Sequence, residues 1–342
     1  MGCNLRDLAQ PENLELESLS GQRIGVDAFL VAFQFLTTIR DRSPEGDGGP
    51  LKSSNGKVVS HLMGFLNRTT SLLGAGIKPV FIFDGKPPEL KSDELAMRRE
   101  RREEARRVHK DALEAGDFAL AQKMAQRIIS YTPEMVEETK QLLDLLGVPW
   151  VVAKAEGEGQ AAVMAKLGQL DAVATQDWDA LLYGTPVLIR NMMTAGNKQH
   201  GRVVRAQRII LDDLLTEHDL TPNQLIDLAI MIGTDFHPGI RGIGPKTGVK
   251  LIKKFGNIEA ICEEKDKEIP ERLEEIREIF RNHPANEVST EQLQLGEIDV
   301  SGLKQFLQVD RQFSQRRMDN AMEKLQKAGL VRESGQTSLF SF

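Results

Sequence analysis

Residues 23–40 read RIGVDAFLVAFQFLTTIR: a short apolar run closes on Asp27 and passes directly into a longer apolar run. The first part, RIGVD (23–27), reads as a strand and the second, AFLVAFQFLTTIR (28–40), as a helix. The same alternation recurs along the chain. KPVFIFD (78–84), VPWVVAKAEGE (148–158) and DAVATQDWD (171–179) read as strands, and HLMGFLNRTTSLLGAG (61–76), PEMVEETKQLLDLLG (133–147) and GQAAVMAKLG (159–168) as helices between them. Near-continuous apolar strands that alternate with helices predict an α/β fold with a mostly parallel central sheet flanked by helices. Ligands of such sheets gather outside the carboxyl ends of the strands. There the sequence places Asp27, Asp84, Glu156, Glu158, Asp177 and Asp179, with Asp235 following the helix-like LIDLAIMIG (225–233).

The 342 residues suffice for a large core and more than one subdomain, and 40% hydrophobic against 27% charged residues is an ordinary balance for a folded protein. No apolar run approaches the roughly 18 residues of a membrane span. The start, MGCNLRDLAQPEN, lacks the apolar centre of a signal peptide, and Arg6 stands where myristoylation wants Ser or Thr. Cys3 and Cys262 fit a reducing compartment, and neither they nor the six histidines have zinc-ligand spacing. A soluble, cytoplasmic protein is expected. The net charge of −6 conceals segregation. RRERREEARRVHK (98–110) carries seven Lys/Arg against three Glu, and residues 239–254 carry five Lys/Arg and no acid. The first of these lies within 89–115, a stretch without Gly or Pro that reads as exposed helix inserted after the second strand. DRSPEGDGGPLKSSNGK (41–57) reads as a turn-rich loop, 257–330 as further helices and ESGQTSLFSF (333–342) as a loose tail.

The basic stretch GIRGIGPKTGVKLIKKFG (239–256) suggests a phosphate site, but not a nucleotide's. Pro245 separates Gly244 from Lys246 and breaks the phosphate-loop pattern, and Gly242, Gly244 and Gly248 miss the dinucleotide spacing. The acids say more. An Asp at a strand end is commonly a helix cap, and Asp27 could serve as one. Carboxylates gathered on adjacent strand ends, however, repel one another unless cations intervene. An all-oxygen set without His or Cys suits Mg²⁺ or Mn²⁺ rather than zinc. Two such ions about 4 Å apart activate water and neutralise a transferring phosphoryl group, which points to two-metal phosphodiester hydrolysis.

These residues belong to longer motifs. In VDAFLVAFQFL (26–36), SHLMGFLNRT (60–69), GIKPVFIFDGKPPELKSDELAMRRERREEA (76–105), EGEGQAA (156–162), ATQDWDALLYG (174–184) and GTDFHPGIRGIGPKTGVKLI (233–252) the chain resembles the flap endonucleases, most closely the archaeal type, along its whole length. That resemblance implies a PIN-like 5′ nuclease fold with a helical arch insertion and a helix-hairpin-helix. It implies that Asp27, Asp84, Glu156 and Glu158 mainly hold one metal ion and Asp177, Asp179 and Asp235 the other, with Asp179 essential to catalysis. Lys91 and Arg98 match the basic residues that reach the scissile phosphate. Gly2, Phe33 and Arg40 match residues near the site and the DNA junction, with Phe33 in place of the family's usual Tyr. Trp178 and Phe236 replace tyrosines beside acidic ligands and are expected to alter packing more than metal binding.

The resemblance also reads 239–256 as the hairpin. Gly242 and Gly244 would let the backbone turn tightly, Lys246, Lys250, Lys253 and Lys254 would attract duplex DNA, and carbonyls could hold K⁺. The tail peptide QTSLFSF (336–342) resembles a sliding-clamp (PCNA) motif, with Gln336, Leu339 and Phe342 in register. The organisation implied is a nuclease region at 1–87 and 131–235, an arch at 88–130, the hairpin motif at 223–256, a helical region at 257–330 and a clamp-binding tail at 331–342. The activity implied is structure-specific 5′ flap cleavage with 5′-3′ exonuclease trimming in DNA replication and base excision repair, by a monomer near the nucleoid that binds no membrane. The competing reading is a junction-binding scaffold without catalysis.

Overall fold

The computed structural model describes residues 3–41, 43, 48–199 and 201–331, so Gly2, Gln336, Leu339 and Phe342 lie outside the described residues. The strands are β1 (Glu12–Leu14), β2 (Arg23–Asp27), β3 (Lys78–Phe83), β4 (Trp150–Val152), β5 (Ala172–Ala174), β6 (Val187–Arg190), β7 (Lys198–Gln199), β8 (Arg202–Val203) and β9 (Ala206–Ile210). Among the described residues β7 and β8 pair with each other, and the rest form a seven-stranded sheet in the order β1-β9-β6-β5-β2-β3-β4. Strands β4, β3, β2, β5 and β6 run parallel. β9 joins antiparallel to β6, and β1 antiparallel to β9, so the sheet is parallel at its centre and mixed at one edge. The strand expected over 148–158 contracts to Trp150–Val152, because the chain turns into a helix at Gly157.

The helices of the nuclease region are α1 (Ala28–Thr38), α2 (Ser60–Gly74), α3 (Ser92–Glu114), α4 (Phe118–Ile128), α5 (Pro133–Leu145), α6 (Gly157–Lys166), α7 (Asp179–Leu182) and α8 (Leu211–His218). Asp27 does cap α1: its Oδ1 accepts the Leu30 N–H at 3.0 Å, satisfying one of the amides that open a helix. α2 lies against α1 so closely that a Cβ on Gly64 would stand 2.1 Å from the Phe35 ring. Phe35, Phe65 and Phe81 stack edge-on at 5.5 and 5.2 Å, carrying that contact into the sheet. The insertion is a helical hairpin. The exposed helix expected over 89–115 is a 3-10 turn followed by α3, and the chain returns along α4, which Asp117 caps.

Beyond the sheet follow α9 (Pro222–Ile232), α10 (Pro245–Phe255), α11 (Ile258–Lys265), α12 (Leu273–Arg281), α13 (Val300–Leu303) and α14 (Gln315–Lys327), the last packing back on α2. α9 and α10 form the expected helix-hairpin-helix. The tight turning expected of both Gly242 and Gly244 holds for Gly242 alone, with φ +90°. Gly244 is extended, φ −105°, and caps α10 in open space. The second turn-making glycine is Gly239, φ +91°, where a Cβ would meet the Ile232 carbonyl oxygen at 2.6 Å. Among the described residues no helix is long and apolar enough to cross a membrane.

An ion pair holds this helical region together. Arg277 of α12 reaches both oxygens of Asp227 on α9 at 2.7 and 2.8 Å and both of Glu259 on α11 at 2.6 and 2.8 Å. Arg277 and Asp227 are buried, so removing one partner strands a charge. Arg277→Met should lower stability by about 3 kcal/mol in urea unfolding. Adding Asp227→Asn should recover part of that loss; a double variant no more stable than Arg277→Met would contradict this account.

Candidate metal and nucleic-acid site

The parallel register places the strand ends side by side. Asp27 closes β2 opposite Ile82, and Val26 pairs with Ala174 on the other flank. Asp84 follows β3, Glu156 and Glu158 open α6, Asp177 follows β5, Asp179 begins α7 and Asp235 follows α9. The structure therefore brings the sequence-expected carboxylates into one neighbourhood, and hydrogen bonds link Asp27, Glu158, Asp177 and Asp179 among them. Thr175 Oγ1 donates to Glu158 Oε1 at 2.9 Å, lies 3.5 Å from Asp27 Oδ2 and accepts the Asp177 N–H at 3.1 Å. The Asp179 N–H donates to Asp177 Oδ1 at 3.2 Å, and the Cys3 N–H to Asp179 Oδ1 at 2.7 Å. The Gly157 N–H donates to Asp84 Oδ1 at 2.7 Å; a Cβ at residue 157 would stand 3.0 Å from that oxygen, so any larger residue would push the carboxylate aside. Sequence reasoning missed Thr175, although it lies within the ATQDWD motif.

Two cations answer the acids. Lys91, in the 3-10 turn before α3, bonds Glu156 and lies 3.1 Å from Asp235. Arg98, two turns along α3, reaches Asp235 Oδ2 at 3.1 Å and also pairs with Glu94. The base of the helical hairpin is thus fastened to the acids by the two residues that the resemblance singled out.

Electrostatics show how unfavourable the cluster is for bare carboxylates. Burial raises the Asp27 carboxyl to about 7, with the charge of Asp84 adding to it. Burial likewise lifts Asp179 to about 7, helped by Asp177. Glu158 is pushed well above its usual range by burial and then by Asp177, Asp27 and Asp179; Asp84 and Asp177 also rise, chiefly through burial. Burial opposes charge on Lys91 too, yet Glu156 and Asp235 overcome it and raise its pKa. Among the described residues no three acidic, His or Cys side chains already close into a ligand cage; their oxygens face the N–H and O–H donors just named. The donor set still fits a hard divalent cation, being all oxygen and carrying charge that burial and mutual repulsion oppose.

The candidate DNA contacts lie elsewhere on the surface. Phe33 is 40% exposed on α1 and is no core aromatic; Phe29, one turn earlier and 41% exposed, packs edge-on to Tyr131 at 5.4 Å. Arg40 donates to the Gly48 carbonyl at 3.3 Å, and the Gln126 side chain of α4 lies 2.9 Å away once its amide is turned to accept. Lys246, Lys250 and Lys253 are exposed along one stripe of α10, with Lys254 beside them. Trp178 is buried under the Arg190 guanidinium at 4.2 Å, and Phe236 packs on Phe280 at 5.5 Å.

Comparison with known proteins finds relatives over nearly the whole chain. Family models match residues 4–105 (XPG N-terminal domain), 147–235 (XPG I-region) and 220–312 (5′-3′ exonuclease, C-terminal SAM fold). The chain is 44% identical to Flap endonuclease 1 of Methanosarcina acetivorans, over 97% of this chain and 98% of that protein. It is 41% identical to Flap endonuclease 1 of Pyrococcus abyssi, over 100% and 98%. Its structure resembles flap endonuclease-1 from Methanococcus jannaschii with TM-score 0.74 at 36% identity, covering 96% and 98%. The catalytic core of Rad2 in complex with DNA substrate, 24% identical and covering 95% and 100%, shares the fold with TM-score 0.69.

The raised carboxyls give a prediction with a definite sign. A group whose folded pKa lies above its unfolded value binds more protons when folded, so stability falls as pH rises through the window between the two. For Asp179 that window runs from the ordinary carboxyl value to about 7. Without divalent cations, Asp179→Asn should melt above the wild type at pH 8, by a few degrees, on the order of 1 kcal/mol. The difference should close below the ordinary carboxyl value, by about pH 3, where the wild-type carboxyl is largely protonated in both states. A variant melting below the wild type at pH 8 would contradict it.

Proposed function

This chain belongs to the flap endonuclease family, and from that premise we propose that it is a structure-specific 5′ flap endonuclease that also trims 5′ ends. It cuts DNA phosphodiesters at single-strand/double-strand junctions, leaving 5′-phosphates, in replication, including Okazaki fragment maturation, and in base excision repair. The observation that carries the reading is the buried crowd of carboxylates on adjacent strand ends, fastened by Lys91 and Arg98 to the base of a basic helical hairpin.

Asp27, Asp84, Glu156 and Glu158 would hold one divalent cation and Asp177, Asp179 and Asp235 a second, Mg²⁺ or in its place Mn²⁺. Such a pair supplies an activated water and neutralises charge on the phosphoryl group. The protein does the rest. Thr175 and the backbone N–H groups hold the carboxylates in orientation, which spares reorganisation during the reaction. Lys91 and Arg98 lie beside the acids and are placed to meet a phosphate whose negative charge grows towards the transition state. The hairpin α3–α4 would admit a free 5′ end, and its ordering around that strand would gate cutting. Exposed Phe33 offers a stacking face to an unpaired nucleotide, while Arg40 braces the hairpin near the junction.

The open N-terminus of α10, with Lys246, Lys250, Lys253 and Lys254, grips duplex phosphates, and hairpin carbonyls are candidates for K⁺. Contacts of this kind position DNA without reading bases, which suits recognition of structure. Gly2 is a proposed DNA contact, and Gln336, Leu339 and Phe342 are the proposed clamp contacts of a soluble monomer.

The test is cleavage of a labelled 5′-flap substrate with Mg²⁺ and with chelator. Cutting at the junction should need the cation, and Asp179→Ala should abolish it while leaving DNA affinity nearly intact. Loss of binding together with cutting, or no cutting by the wild type, would overturn the reading. Lys246→Ala with Lys250→Ala should lower the salt dependence of binding by about one phosphate contact per lysine. An unchanged slope would remove α10 from the DNA interface.

A further inference from the structure

The mechanism above leaves Tyr183 without a part. This side chain is only 2% exposed yet carries a hydroxyl, which donates to Glu156 Oε2 at 2.6 Å. The other oxygen of Glu156 meets Lys91. The Tyr183 ring is braced by groups from beyond the nuclease region: Phe280 on α12, with centroids 5.0 Å apart, and His283 just past that helix, edge-on at 4.9 Å. The imidazole fits because residue 159 is glycine; a Cβ there would stand 2.4 Å from it. Phe280 in turn meets Phe236 at 5.5 Å, and Lys91 Nζ sits 5.9 Å over the Phe236 ring. An aromatic wall therefore runs from buried His283, Tyr183 and Phe280 to half-buried Phe236, the neighbour of Asp235.

The wall has a chemical consequence at Glu156. A glutamate side chain turns about three torsions, and a carboxylate free to turn presents its lone pairs poorly to a cation. A donor locked by packing removes that freedom at Oε2. We infer that Tyr183 is a positioning residue for divalent-cation binding: its hydroxyl, braced by Phe280 and His283, fixes the Glu156 carboxylate and so sets the affinity of the site. The inference rests on the metal-site reading above. Outer partners of metal ligands typically influence affinity by 10- to 100-fold.

The experiment is Mn²⁺ titration by electron paramagnetic resonance on the whole protein without DNA, with melting in chelator alongside. Tyr183→Phe should bind Mn²⁺ about 10-fold more weakly while melting close to the wild type. Phe280→Leu, which loosens the wall but keeps the hydroxyl, should melt lower and lose less affinity. Wild-type affinity in Tyr183→Phe would overturn the inference and leave the metal site standing. Equal losses in the two variants would assign the effect to packing and overturn it as well. No Mn²⁺ binding by the wild type would overturn the metal site itself, and the inference with it.

Discussion

Repulsion among carboxylates held out of water on adjacent parallel strand ends is the constraint on which the rest of this molecule turns. The register of β2 with β3 and β5 leaves no room to disperse Asp27, Asp84 and Asp177. The fold answers with hydrogen-bond donors: the Thr175 hydroxyl donates to Glu158 and faces Asp27, and is itself held by the Asp177 N–H. Backbone N–H groups of Cys3 and Gly157 serve two others. Even so, Asp27 and Asp179 rise to about 7 and Glu158 rises well above its usual range. Lys91 and Arg98 balance only part of that charge. A stable fold gains nothing from such a cluster, whereas a site for hard cations and a phosphodiester needs one.

The same constraint explains the placement of the outer parts. The helical hairpin enters through Lys91 and Arg98, so its base is fixed to the acids while much of α3 stands in solvent. The C-terminal helical region is joined from three directions. Arg277 locks α9, α11 and α12 together, the His283–Tyr183–Phe280 wall meets Glu156, and α14 lies on α2. What holds the acids in place is therefore spread across most of the chain.

Much of this was legible in the sequence because its signals are local. RIGVD and KPVFIFD are apolar runs that stop at an acid, and they fold as β2 and β3 within a residue of their expected bounds. The two antiparallel strands β1 and β9 were not legible: ENL is largely exposed, and AQRII is indistinguishable from the start of a helix until it pairs with β6. The return of α4 along α3 was hidden for a similar reason, since its alanines take meaning only once packed. At the site the gathering of acids followed from strand order, but Thr175 and Tyr183 did not. A threonine and a tyrosine carry no charge to mark them, and only the folded distances show which carboxylates they serve. Gly244 was misjudged because a glycine's φ cannot be read from spacing; the positive φ belongs to Gly239 and Gly242.

The central claim, that Asp27 and Asp179 hold protons until a divalent cation takes their place, is tested most directly by calorimetric titration of Mg²⁺ in two buffers of unequal ionisation enthalpy. Ligand carboxylates must be deprotonated to bind, so protons leave as metal enters. With Asp27 and Asp179 near 7, release should be large at pH 6 and fade by pH 8.5. Binding at pH 6 with the same heat in both buffers, hence no proton release, would contradict the account.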